Sequence, residues 1–372
     1  MTELTWAQVT AWRLVQQHLL ERAPSNKWLA VVRDLGGLHA QLMSAAELSL
    51  WARVENLPHS TLEDALWRGR TLVKTWAMRG TLHLLPVADF PLHTAARQAT
   101  LPKRPPSWYT YHGVTPDEAG AIRTTVPQVL SDEPQTREAL ATTIAEQTGN
   151  PKLRDLLLSG WGALLKPSAF AGDLCFGPNQ GQNVTFVRPD CWLGDWAAGE
   201  PHEAIREVAR RFLRTYGPAT LDEFARWWGA APSQVRPVFK ALSDEISEVS
   251  VEGWRAWALN STLAEIEAVK IAPFVRLLPF FDPYTIAVAR HSEHLLDDAY
   301  KGRVYRPQGW IAPVVLVNGR IEGVWEQEKQ GNKVVVQVEL FTAATSTLTS
   351  AIASEATRLG EFLGVEVEVV GA

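Results

Sequence analysis

The feature that most constrains this chain is an order of elements that recurs three times: helices, then two short strands joined by a tight turn. The first set opens with Thr5-x-x-Gln8, which pairs a hydroxyl cap with an amide three residues on, followed by Val9, Trp12, Val15 and Leu19 at helical spacing. Further helices are expected from Ser25 to Leu38, from about Ser44 to Glu55, and from Ser60 through Trp67. Strands at Leu72–Ala77 and Thr81–Leu85 then turn at Arg79-Gly80. The second set starts at Thr115-Pro116-x-Glu118, with helices to Leu130, over Thr136–Gln147 and over Pro151–Leu165, and closes on strands Asp173–Phe176 and Asn183–Val187. A third runs through Glu203–Thr215, the capping box Thr220-x-x-Glu223, Ser233–Leu242, and the strands Ile246–Val251 and Trp254–Leu259. Helices closed by a hairpin are the order of a winged helix.

Beyond Phe274 the texture changes to strands. Phe274–Phe281, Trp310–Val317, Arg320–Gln327 and Lys333–Phe341 are separated by Asn318-Gly319 and Gly331-Asn332, and a helix over Thr345–Leu363 precedes a last strand at Val365–Val370. The expected fold class is therefore α+β and mainly α: three tandem winged-helix units followed by a β-rich, barrel-like scaffold. The expected domains are 1–100, 101–197, 198–261 and 262–372, with the first boundary in the proline-rich stretch Leu101–Gly113.

Composition narrows the function. The formal net charge is −5, which argues against coating nucleic acid by bulk attraction; any binding of DNA must use a local basic patch. Sixteen tryptophans require that many indoles sit in cores or on stacking surfaces. Cys175 and Cys191 fit a reducing compartment and belong to no metal-spacing motif, so neither a metal nor another cofactor is expected. The start, Met1-Thr-Glu-Leu-Thr-Trp, lacks a signal-peptide pattern, and no apolar run has the length of a membrane span, so a cytoplasmic, nucleoid-associated monomer is expected.

The stretch Gly36-Gly37-Leu38-His39-Ala40-Gln41 places two polar side chains two residues apart in an apolar run. On a helix they would diverge, whereas an extended segment turns them to one side, and the glycine pair offers the helix an exit just before them. The structural alternative is that His39 and Gln41 only satisfy backbone groups at the helix end. Lys74, Trp76, Arg79 and His83 lie on the first hairpin, where basic side chains commonly meet phosphate; packing of Arg79 on Trp76 is the alternative. Lys301, Arg303 and Arg306, interleaved with Tyr305 and Trp310, form the densest mixture of cations and rings, although Asp297-Asp298 could neutralise it internally. Lys103-Arg104 with Trp108 and Tyr111 is a further such mixture, or a solvated linker.

His39-Ala40-Gln41 and Thr75-Trp-Ala-Met-Arg79-Gly80-Thr-Leu-His83, together with Leu164-Leu-Lys-Pro167, Tyr216-Gly-Pro-Ala-Thr220, Phe224-Ala-Arg-Trp-Trp-Gly229 and Gly309-Trp-Ile-Ala-Pro313, resemble the AlkZ-like bacterial DNA glycosylases, a winged-helix group that includes the YcaQ relatives. The resemblance implies that the family's Gln-x-Gln motif is here His39-x-Gln41 and that this pair is catalytic. Gln41 matches the second glutamine, while His39 replaces the first and could be a base or only a hydrogen-bonding group. It further implies a monofunctional hydrolase acting on alkylated purines of the N7-alkylguanine type, bulky or cross-linked adducts included, in double-stranded DNA, with Asp282 and Arg290 supporting the site. A base alkylated on a ring nitrogen is already cationic and departs readily, so the protein need supply little beyond a positioned water and tolerance of the developing charge. No lysine stands out as a Schiff-base nucleophile. A non-catalytic winged-helix regulator is the alternative from another class.

Overall fold

A computed structural model describes residues 1–101, 104–159, 162–287, 293–331 and 333–371. Pro102 and Lys103 of the proline-rich stretch, Arg290, His291 and the turn residue Asn332 lie outside the described residues. The chain is mixed helix and strand, half of it helical. It divides into two compact units: Met1–Leu62 with Arg210–Glu223 and Leu242–Ala372, and Glu63–Ala209 with Phe224–Ala241.

In the first unit Thr5 caps the helix Trp6–Gln16 as its sequence required, with a reciprocal bond from the Thr5 backbone to the Gln8 side chain. Thr2–Leu4 adds a parallel strand to the hairpin Ile246–Val251 and Trp254–Leu259. Leu4, Trp6, Val9 and Trp12 then close a core against Val249, Val251, Ala256 and Ala258. The C-terminal sheet curls as half a barrel and runs Val275–Leu278, Val314–Val317, Arg320–Gln330, Lys333–Leu340 and Glu366–Val370. Its first four strands are antiparallel and the fifth is parallel, reached through the helix Ser346–Leu363.

Two charged contacts fix the helical part of this unit. The Glu355 carboxylate takes both bonds from Arg22 at 2.5 and 2.6 Å, and Arg358 donates to the Trp51 carbonyl at 2.7 Å. Burial lowers the Arg276 and Arg358 guanidiniums to about 10, with Arg22 adding like-charge repulsion and Glu355 opposing it.

In the second unit the hairpin Leu72–Trp76 and Leu82–Pro86 pairs Thr75 opposite His83. Trp76 packs on Phe176 and Phe186 with ring centroids at 4.8 and 6.1 Å, inside a core supplied by Ile122, Val126, Leu140, Ile144 and Leu165. The order here is helix Pro116–Val129, strand Gln135–Thr136, helices Arg137–Thr148, Lys152–Leu158 and Lys166–Ala171, then the hairpin Cys175–Gln180 and Asn183–Val187. The short strand adds to that hairpin as a third member.

Several elements differ from expectation. The helix expected over Pro151–Leu165 spans Lys152–Leu158, and a separate helix, Lys166–Ala171, begins past its expected end, with Pro167 where a first turn tolerates a proline. The helix expected to reach Leu38 stops at Asp34. The fourth helix is one α turn, Thr61–Glu63, continued by a π turn over Asp64–Arg68. Helices Phe90–Ala99 and Pro106–His112 stand where no helix, and a linker, were expected. The second begins on proline and ends on Gly113 at φ +68, so the local signals for start and stop were present inside the proline cluster.

Candidate functional site: a histidine–glutamine turn beside an aromatic pad

The turn is made by the end of the helix Trp28–Asp34. Gly36 and Gly37 take φ of +72° and +111°, and their amides return to the carbonyls of Arg33 and Val32 at 2.9 Å each, a Schellman closure that β-carbons would resist. Tyr216 Oη donates to the Leu35 carbonyl at 2.8 Å and Thr215 Oγ1 to that of Asp34 at 2.7 Å, which gives the Tyr216-Gly-Pro motif a job at this helix end. The chain leaves as the strand Leu38–His39 and bends at Gln41.

The two polar residues consequently do not share an environment. His39 is 7% exposed, with its ring on Phe281 at 4.8 Å between centroids, whereas Gln41 is exposed. The extended run expected to turn both to one side is only two residues long, and the bend after it separates them.

Phe281 holds φ of +55°, a conformation an aromatic L-residue adopts only when its surroundings enforce it. Next to it, Asp282 is fully buried and explains the enforcement. Its carboxylate takes two bonds at 2.7 Å from the equally buried Arg53, accepts the Tyr284 amide at 2.9 Å, and its carbonyl takes the Thr285 hydroxyl. Arg53 also donates to the Ser49 carbonyl at 2.8 Å, tying the end of the helix Met43–Trp51 to this loop. Asp282 thus caps a turn and anchors an ion pair at once. Arg53 itself was missed from the sequence; an arginine between Trp51-Ala52 and Val54 is the signal that could have found it, since a charge in an apolar run demands a partner.

Trp310 completes the pad. It lies 5.1 Å from Phe281 and 5.8 Å from Phe280 between ring centroids and is 42% exposed. Its loop is fixed by left-handed backbone at Gln308 and Gly309 and by the bond from the Arg306 amide to the Trp310 carbonyl. Tyr305, whose hydroxyl donates to the Thr285 carbonyl, is pushed up to about 12 by burial.

The other expected contacts are placed less uniformly. Lys301, Arg303 and Arg306 are each paired with a carboxylate, Asp298, Glu339 and Glu326 respectively, so the basic loop is locally neutralised. In the second unit Lys74 is half-buried with its ammonium 5.7 Å over the Phe176 ring, and burial lowers its pKa. His83 is 2% exposed; its Nδ1 donates to the Thr81 carbonyl at 3.0 Å, which a buried imidazole inside a strand pair needs and a phosphate-binding one does not.

Arg79 sits at the hairpin tip with φ of +56° and donates to the Trp227 carbonyl at 2.6 Å. Gly229 explains part of the Trp-Trp-Gly motif: at φ +82°, a β-carbon there would stand 2.6 Å from Arg79 Cα. Arg97, unremarked in the sequence, secures the same tip through the Ala77 carbonyl at 2.8 Å and the Trp228 carbonyl at 3.3 Å.

Cys175 and Cys191 are free thiols, and among the described residues no group of three or more His, Cys, Asp or Glu is arranged to hold a metal ion. Among the same residues no helix is long and apolar enough to cross a membrane.

The family profile described as DNA glycosylase AlkZ-like matches residues 32–362. A protein of Streptomyces sahachiroi described as an interstrand DNA cross-link repair glycosylase is 37% identical over 328 residues, covering 87% of this chain and 88% of its own. The solved structure of the Streptomyces sahachiroi DNA glycosylase AlkZ superposes with a TM-score of 0.89 over the whole of both chains at 34% identity.

Proposed function

Since the chain belongs to the AlkZ-like DNA glycosylase family and is a DNA glycosylase, we propose that it is a monofunctional hydrolase of alkylated purines in duplex DNA, of the N7-alkylguanine type and extending to bulky or cross-linked adducts. The cross-link is carried over from the description of the Streptomyces relative. We read the three helical groups with their hairpins as winged helices that precede the C-terminal scaffold in the chain, over 1–100, 101–197, 198–261 and 262–372.

The observation that carries the proposal is the helix end that leads into His39, packed on the Phe281 ring, and two residues on into the exposed Gln41. An N7-alkylated guanine carries its positive charge before bond cleavage. When C1′–N9 breaks, its electron pair neutralises the leaving base, and the charge passes to the sugar. A water then bonds to C1′ and releases a proton to His39 or to solvent. In this reading the exposed Gln41 amide oxygen accepts a hydrogen bond from that water. Trp310 offers a face on which a damaged base or its planar adduct can stack. The support of Asp282 is indirect, through Arg53 and the backbone of Phe281.

Release of free N7-alkylguanine from modified duplex tests the reading. Purified protein should release the base without cutting the strand. His39→Ala with Gln41→Ala should lower single-turnover release by at least about a hundredfold while duplex affinity stays within twofold or so. Release unchanged in the double variant would remove the site, and enrichment of one sequence motif from random duplexes with no release by the parent would favour a regulator.

A further inference from the structure

Arg97, Arg104 and Lys166 are cations without a carboxylate partner among the described residues, in contrast to Arg154, Arg188 and Lys152 of the same unit. They gather around Phe170. Arg97 lies 4.7 Å over that ring, a β-carbon on Gly80 of the hairpin tip would stand 3.8 Å from both Lys166 Nζ and the ring, and Phe170 lines a cleft of about 240 Å³ with Arg104, Trp108, Tyr109 and Arg123.

Arg97 is spent on backbone carbonyls and is buried. Arg104 and Lys166 are not so used. Arg104 lies 4.3 Å over the Trp108 ring, and its cleft neighbour Arg123 is exposed and opposes the burial that raises the Asp173 carboxyl. Lys166 is lowered by burial and by Arg104, and His112 by burial, Arg104 and Lys166, whereas Arg104 is lowered by burial with Tyr109 opposing. Tyr111, 84% exposed, stands on the same short helix as Trp108. Folding has placed like charges and rings together at a cost, on a protein with net charge −5, and has left Arg104 and Lys166 without a carboxylate partner among the described residues.

We propose that the face of the second unit formed by Arg104, Lys166, Trp108 and Tyr111 binds the sugar–phosphate backbone of duplex DNA, one phosphate to each cation. This rests on the reading of the chain as a DNA-acting enzyme and names a surface of it; it deepens that reading without depending on which adduct is removed. A phosphodiester supplies the missing anion, and the rings cover the apolar edge of the sugar.

Anisotropy of a short undamaged duplex across a salt series tests it, in the full chain. Arg104→Ala with Lys166→Ala should weaken binding at low salt by at least about tenfold and reduce the slope of log affinity against log salt by roughly 1.8, or 0.9 for each phosphate lost. Arg104→Lys with Lys166→Arg should restore both. Arg154→Ala, which removes a cation already paired with Glu138, should leave the slope unchanged. As a second measurement on the unaltered protein, duplex should protect the Lys166 amine from acylation, and salt should reverse the protection. A slope unchanged in the double alanine variant, an equal drop in Arg154→Ala, or equal acylation of Lys166 with and without duplex overturns the proposal. Because the readouts are affinity and protection, they remain informative even if the parent releases no base.

Discussion

The two units differ in how particular cations are held, although each also carries the other's kind: Arg358 lies on a carbonyl and over a ring in the first, and Arg154 and Arg188 meet carboxylates in the second. In the first, Arg22 faces Glu355, Arg53 faces Asp282, Arg303 faces Glu339 and Arg306 faces Glu326. In the second, Arg79 and Arg97 are held by carbonyl oxygens, and Lys74, Arg97 and Arg104 lie over rings. A carboxylate cancels a cation, whereas a carbonyl or a ring positions it and leaves its field intact. A protein with an acidic total can therefore present a cationic face locally, while Lys301, Arg303 and Arg306 of the first unit's basic loop each carry a carboxylate neighbour.

The sharpest way to break this contrast is at Arg53. Asp282→Ala should leave that guanidinium buried and uncompensated and cost roughly 3–5 kcal/mol by urea denaturation. Replacing both partners by apolar residues, Arg53→Met with Asp282→Leu, should recover most of the loss. Equal loss in the single and double variants would mean that the pair's hydrogen bonds to Ser49 and Tyr284, not its charge balance, hold the loop.

A smaller loss is expected at Arg97 in the second unit. Arg97→Leu should cost about 1–3 kcal/mol, since the Ala77 and Trp228 carbonyls lose a donor but no opposite charge is stranded. Stability falling as far as in Asp282→Ala would erase the distinction between the units.

At the aromatic pad the expected change is in recognition. Trp310→Ala should weaken binding of adduct-bearing duplex by about 1–3 kcal/mol, with Trp310→Phe intermediate and undamaged duplex little affected. Equal weakening for damaged and intact duplex would make Trp310 a backbone contact. The smallest effect belongs to Arg303→Ala, an exposed pair, which should change stability by less than about 1 kcal/mol and the salt slope of binding not at all.

Much of the fold was legible along the chain because its signals are local. Capping boxes at Thr5, Thr115 and Thr220, the glycine pair at 36–37 and the hairpin tip at Arg79-Gly80 each fix backbone within four residues, and each is where the structure has it. The site was legible in part. Its two polar residues could be named, but not that one would be buried against Phe281 and the other left in solvent, because that depends on a bend and on a ring more than two hundred residues away. Arg53 and Arg97 escaped notice for the same reason: a buried arginine is defined by its acceptors, and those lie elsewhere in the chain.

What the sequence by itself determined is the list of elements, their starts and stops, and the residue types available for the chemistry, since caps, glycines and periodicity act through neighbours in the chain. Only the tertiary structure decided which cations are cancelled. Charge pairing in a fold is a matter of distance and desolvation between segments, and Lys301, Arg303 and Arg306 read in sequence much as Arg104 does, until carboxylates at 298, 339 and 326 come to meet the first three and none meets the fourth among the described residues.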